Sequence, residues 1–228
     1  MSNGVHDLPK LLSLGVHEMR TPMSVALGYL RMMLTHRAGP LNDKQTHMLE
    51  EAEKACRRMA FLLDEMSDLG KLESGVAPLK PGEVDLRGML IDIASGLPPV
   101  PDRDMTVRIA AGNGDLRVRG DAARLKTAFT SLLSGLRREL VTSTQLLVKD
   151  EMRTEGGQRF AWIAIGDAAS IDTYMAADPG ALETFNEYRG GCGMSLVVAR
   201  RVIEKHGGKL WSPGEEAKAG AVVMLPVG

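Results

Sequence analysis

A chain of 228 residues can hold two modest domains, each with its own core, and is too short for a large multidomain enzyme. Twenty-eight Lys and Arg balance 29 Asp and Glu for a net charge of -1, so no overall field draws the chain to nucleic acid or an anionic membrane surface. Cys56 and Cys192 lie far apart without a CxxC pair or a histidine cluster, which argues against a zinc site and for a reduced, cytoplasmic setting.

No apolar run approaches the roughly 20 residues that cross a bilayer, and the first residues lack a signal-peptide pattern. The sequence therefore reads as soluble, with no membrane contact of its own, and it equally fits the cytosolic end of a longer receptor. In chain order, Leu11 to Glu73 reads as two helices separated at Ala38-Gly39-Pro40-Leu41-Asn42, with Asn42 or Asp43 capping the second arm. On that arm Leu49, Ala52, Cys56, Met59, Leu63 and Met66 form one apolar stripe, and Met48, Ala55, Leu62 and Leu69 a second beside it. Two adjacent stripes imply burial on both sides, as when two hairpins pair into a dimeric four-helix bundle. The first arm carries Met19, Met23, Ala26, Leu30 and Met33 in the same rhythm, and Pro22 is expected to bend it.

Residues 1–75 thus form a first unit, 76–82 a Pro- and Gly-containing linker and 83–228 a second unit of mixed elements. Expected there are a short strand at Val84-Asp85, a helix from Leu86 to Ser95, and strands at Thr106–Ala110 and Leu116–Arg119. A helix from Asp121 to Leu140 follows, then strands at Gln145–Lys149 and Phe160–Gly166, a helix from Met194 to Lys205, and a last strand at Val222–Leu225. This order predicts an α/β sandwich with helices on one face of a mixed sheet.

The segment GVHEMRTPMSVALGYL resembles the H-box of two-component sensor histidine kinases, usually SHELRTPL, with His17, Glu18, Arg20, Thr21 and Pro22 all in place and Val16 where Ser is common. A neutral imidazole, with an ordinary pKa of about 6.5, is a nucleophile near neutral pH, and a phosphoryl group on its nitrogen passes readily to a carboxylate. His17 is accordingly the expected phosphoacceptor and Glu18 its general base. The resemblance further implies that Thr21 helps place a water for dephosphorylating a partner regulator. His6, His36 and His47 lack this setting and read as surface residues.

The second unit is similar to the catalytic ATP-binding domain of the same family, an α/β sandwich of the histidine-kinase/Hsp90-like ATPase type. GGCGMSLVVARRVIEKHGGKLW resembles the second glycine box and its helix, retaining Gly191 and Gly193 as phosphate contacts but carrying Ser195 in place of the third glycine. DAARLKTAFTSLLSGLRREL resembles the N-box in Asp121, Arg124 and Leu125, whereas Ser131 and Gly135 replace its asparagines. Gly135 removes the oxygen ligand expected for Mg2+. Arg138 occupies the position of a phosphate-binding base. Asp167 matches the carboxylate that accepts from the adenine amino group, but Ala169 and Ile171 stand where the first glycine box has glycines.

The resemblance thus implies a degenerate ATP–Mg2+ site with weak or absent autokinase activity, and no metal-ligating residue is predicted. Residues 176–189, a lid in active relatives, contain Phe185 and Tyr188, expected to pack over a closed pocket, and Trp162 and Trp211 are expected in the core. The expected function is phosphotransfer between His17 and a response-regulator aspartate, as phosphotransferase or regulator phosphatase. The expected partners are a second copy of the chain, a receiver domain, and a partner histidine kinase as phosphate source. Two alternatives stay open: an active ATP-dependent sensor kinase and a non-enzymatic pseudokinase scaffold.

Overall fold

The computed structural model describes residues 8–75, 78–100, 103–110, 115–141, 143–188, 194–212 and 219–227, which divide into two compact units between Pro78 and Leu79. The first unit is an antiparallel pair of helices, α1 (Leu8–Leu34) and α2 (Asp43–Ser74). Asn42 caps α2 through a capping box, its side chain accepting from the Gln45 N–H while the Gln45 side chain accepts from the Asn42 N–H. Val16, Leu63 and Leu72 are buried, as is the backbone at Gly70, and they define the seam of the hairpin. A second stripe remains uncovered: Leu11, Leu14, Val25, Tyr29 and Met32 on α1, with Met48 and Met59 on α2, are exposed apolar side chains. Ala52 and Met59 fall in this exposed stripe rather than the inner one where their spacing put them, because three residues turn about 300° on a helix and leave each about 60° from Leu49 and Cys56, on the side of Met48 and Ala55. α1 is continuous across Pro22, whose missing N–H deprives the Glu18 carbonyl of its helical donor.

The second unit opens with β1 (Gly82–Asp85) and α3 (Leu86–Gly96), and Asp85 caps α3 by accepting from the Gly88 N–H. β2 (Thr106–Ile109), β3 (Arg117–Gly120) and α4 (Ala122–Glu139) follow, then the hairpin of β4 (Gln145–Glu155) and β5 (Gln158–Gly166). Next come α5 (Ile171–Ala176), a single 3-10 turn at Pro179–Ala181, the short β6 (Glu183–Thr184), α6 (Ser195–Lys205), β7 (Lys209–Ser212) and β8 (Ala221–Pro226). The main sheet has the order β2-β4-β5-β8-β7-β6, parallel only at β2–β4, and β1 pairs with β3 in a separate two-stranded ribbon. β4 runs six residues beyond its expected end because Gly156 and Gly157, at φ +56° and +82°, close a two-residue turn of the kind that matches strand twist.

β5 and β8 are apolar on both faces. Ile163, Ile165, Val223 and Leu225 turn to the side of α3, α4 and α6, while Trp162, Ala164, Val222 and Met224 cluster with Ile171 and Tyr174 of α5 on the other. The helix side of β4 also holds a buried carboxylate. Asp150 of β4 is shut off from solvent and accepts from Arg87 Nε of α3 at 3.1 and 3.2 Å, with a further bond from Arg87 Nη2. Removing the guanidinium leaves that carboxylate uncompensated, so Arg87→Ala is expected to lower the unfolding free energy of the chain by about 3 kcal/mol or more in urea titrations.

Asp121 ties three segments together. Its carboxylate caps α4 by accepting from the Arg124 N–H at 3.1 Å and accepts from the Lys80 N–H at 3.0 Å. Its own N–H donates to His206 Nε2 at 2.9 Å, and His206 Nδ1 donates to the Val202 carbonyl at 2.7 Å, so these partners select the neutral Nδ1–H tautomer. Burial raises the Asp121 pKa, but the N–H bonds from Lys80 and Arg124 and the Arg124 charge outweigh it and hold the carboxyl below its ordinary value. A carboxyl depressed in the folded state stabilises the fold above its unfolded pKa of about 3.9, and that stability is lost as pH falls through the folded value. Asp121→Asn, which keeps the cap acceptor, is therefore expected to flatten the acid arm of a melting-temperature profile below about pH 4.

Candidate functional site

Val16 is buried in the hairpin seam, and the 100° step of a helix then swings the next side chain outward. His17 is accordingly 78 % exposed and Glu18 71 %, with Nδ1 and Oε1 3.4 Å apart. Adjacent helical residues do not face each other, which keeps this contact long. A proton shared between Nδ1 and Glu18 leaves the Nε2 lone pair open to solvent and to an incoming phosphorus atom. Thr21 lies one turn further along α1, exposed on the same side as His17. His36 and His47 are exposed, and His6 lies outside the described residues.

One feature of this surface escaped the sequence reading. Arg20 Nη2 donates to Asp64 Oδ1 of α2 at 2.7 Å, and further along the hairpin Arg31 Nε pairs with Glu53 Oε1 at 3.6 Å. Each pair is symmetric about Asn42, the cap of α2, so folding the two arms back from that cap identifies both.

The residues matched to nucleotide contacts sit in varied surroundings. Asp167 follows β5, and its Oδ1 accepts from the Ser170 N–H at 2.9 Å and from Ser170 Oγ at 2.6 Å. Its carbonyl accepts from the Ile171 N–H at 3.0 Å, which starts α5. Ile171 is buried against the sheet, where a glycine would leave a hole. Tyr174 packs so closely on Gly166 that a Cβ there would lie 2.7 Å from its ring. Arg138 is exposed in the last turn of α4, and its carbonyl accepts from Arg103 Nη2 at 2.7 Å. Gly135 is buried within α4. Among the described residues no hydrogen bond or ion pair joins Arg138 to Asp167, and no group of three or more His, Cys, Asp or Glu is placed to hold a metal ion. Gly191 and Gly193 lie outside the described residues.

The stretch expected as a lid divides. Its beginning is strapped to the sheet: the Arg153 guanidinium lies 3.9 Å over the Trp162 ring, donates to the Ala177 carbonyl at 3.0 Å and also to that of Met175, while Lys149 pairs with Asp172. Farther on, β6 pairs with β7, Phe185 is buried, the Asn186 N–H donates to Ser212 Oγ at 3.2 Å and Arg200 pairs with Glu187 at 2.6 Å. Tyr188, by contrast, is 83 % exposed and so covers no closed pocket among the described residues. Trp162 is buried, and Trp211 packs against the same cluster with ring centroids 5.6 Å apart.

Residues 11–75 match the His Kinase A (phospho-acceptor) domain. The chain is 26 % identical over 221 residues to the sensor protein GacS of Pseudomonas syringae pv. syringae, covering 92 % of this chain and 24 % of that protein. It is 26 % identical over 209 residues to the phosphate regulon sensor protein PhoR of Pseudomonas aeruginosa, covering 85 % and 44 %. In fold it resembles full-length ShkA, crystallised in complex with AMPPNP, at TM-score 0.65 and 20 % identity over 96 % of this chain and 45 % of that one. The Acinetobacter baumannii histidine kinase AdeS gives TM-score 0.56 and 15 % identity over 92 % and 98 %. The chain spans about a quarter of the length of the GacS relatives it matches. Among the described residues no helix is long and apolar enough to cross a membrane.

Because Arg153 supplies a ring contact and two carbonyl bonds at once, Arg153→Ala is expected to lower stability by about 2 kcal/mol. Hydrogen exchange should speed up at Asp172–Ala177 and leave the α4 amides unchanged.

Proposed function

We propose that this chain, whose residues 11–75 match a phospho-acceptor domain and whose fold is a helical hairpin followed by an α/β sandwich, is the core of a two-component histidine kinase that exchanges a phosphoryl group between His17 and a response-regulator aspartate without using ATP as the direct donor. The observation that carries this reading is the contrast between an open His17, with Nδ1 on Glu18, and an Asp167 whose Oδ1 is engaged by Ser170. ATP with Mg2+ fits the described residues poorly. Gly135 offers no ligand to the metal, Ile171 is locked in the core and α5 is strapped across the sheet.

In the forward step Nε2 attacks the phosphorus of the regulator's aspartyl phosphate. A P–N bond forms as the P–O bond breaks, the carboxylate leaves, and Glu18 holds the Nδ1 proton against the positive charge on the ring. Reversal recharges the regulator. Thr21, one turn away, is suited to orient a water for hydrolysis of the aspartyl phosphate, which would make the chain a regulator phosphatase as well. We assign residues 1–75 to dimerisation and phosphotransfer, 76–82 to a linker and 83–228 to the degenerate ATP-binding-like domain, acting in the cytoplasm. The exposed stripe of Leu11, Val25, Tyr29 and Met32 fits a second copy, completing a four-helix bundle.

One observation favours an ATP-dependent kinase instead: the fold likeness to ShkA, crystallised in complex with AMPPNP, extends over nearly the whole chain. The two readings separate on the phosphate source. Incubated with a 32P-aspartyl receiver domain, the chain is expected to acquire acid-labile, base-stable label that His17→Ala abolishes, while γ-32P-ATP with Mg2+ labels it at least about a hundredfold more slowly. Rapid labelling from ATP would establish the kinase, and no transfer from any receiver would remove the relay.

A further inference from the structure

Arg20 lies three residues after His17, the spacing at which helical side chains become neighbours about 5–6 Å apart at Cβ. Its guanidinium is held across the hairpin by Asp64, and both side chains are half or more exposed, at 50 % and 68 %. An ion pair so open to water is weak and exchanges partners readily. It is not needed to set the register of the hairpin, since Arg31 and Glu53 form a second pair on the same flank and the apolar seam runs between the arms.

We propose that Arg20 is a partner-switching residue of the phosphoacceptor site: its guanidinium rests on Asp64 while His17 is free and turns to the phosphoryl oxygens when His17 is phosphorylated. This rests on the reading of His17 as phosphoacceptor. A phosphoryl group brings nearly two negative charges and three acceptor oxygens, against one charge on Asp64, and the guanidinium fork matches that geometry in charge-assisted bonds. Glu18, the charged neighbour of His17 on α1, faces Nδ1 and so leaves the phosphoryl on Nε2 to Arg20, while on α2 Lys71 pairs with Asp68. Arg20 therefore stabilises the phosphohistidine, and Asp64 competes for Arg20. Their removal acts in opposite directions, whereas two halves of a mere structural staple would act in the same direction.

The test uses the whole chain and potassium phosphoramidate as donor, in which the P–NH2 bond breaks as the Nε2–P bond forms and ammonia leaves with the proton. Phosphorylation is counted by intact mass, with His17→Ala as control, and the phosphoryl group is titrated by 31P NMR. Relative to the unmodified sequence, R20Q is expected to raise the phosphoryl titration midpoint by about one pH unit and D64N to lower it, with R20K between the first two. D64N alone must still lower the midpoint should R20Q fail to fold, as checked by circular dichroism. Shifts of R20Q and D64N in the same direction, or none in D64N, overturn the switch and leave His17 as phosphoacceptor. Absence of His17 phosphorylation in every variant overturns both.

Discussion

A strand that is apolar on both faces must be covered twice, and β5 is such a strand. Its Ile163 and Ile165 are buried toward α3, α4 and α6, and its Trp162 and Ala164 toward α5. Leaving either side open would expose large aromatic and branched surface, each such side chain worth about 1.5–3 kcal/mol of transfer free energy. The chain leaving β5 is therefore drawn back across the sheet, and the turn at Asp167 is shaped by that return. Ile171 and Tyr174 are the cover, and Arg153, stacked on Trp162, fastens the far end of α5 through two carbonyls. Ile171, which stands where an open loop would use glycine's freedom, fills space in the core instead.

The hairpin obeys the same rule with one cover missing. Its inner seam is packed, while its outer stripe is as apolar as a seam and is exposed among the described residues. The cross-helix ion pairs are too exposed to compensate, since pairs of this kind contribute roughly 0–1 kcal/mol each. Exposure of His17 follows from the same packing, because the residue before it is the one that anchors α1. A reactive imidazole at the surface, next to a carboxylate and one helical turn from a hydroxyl, can meet a large protein partner without any rearrangement of the hairpin.

Charge is handled differently in the two units. On the hairpin it is spread over water-facing flanks, where partners can exchange. In the sandwich it is sequestered: Asp150 meets Arg87 out of solvent, Asp121 is held by two backbone N–H groups, and Glu187 lies under Arg200. Buried pairs resist rearrangement because an unpartnered charge is costly there. Sequestration suits a domain that holds its shape, and exchange suits a surface where charges meet changing partners.

The amino-acid order alone determined the hairpin, its Asn42 cap, the mixed α/β unit and the motif that singles out His17, because these depend on short-range periodicity, capping chemistry and a contiguous motif. It also carried the Gly156-Gly157 turn and the symmetry of Arg20 and Asp64 about Asn42, signals that were present but unread. Tertiary structure decided the rest. That α5 lies on the sheet face opposite the other helices, that Asp167 spends an oxygen on Ser170, and that His206 locks Asp121 all depend on residues brought together across long stretches of chain. No local pattern reports such meetings, since they are fixed by which apolar faces remain to be covered once the sheet has formed.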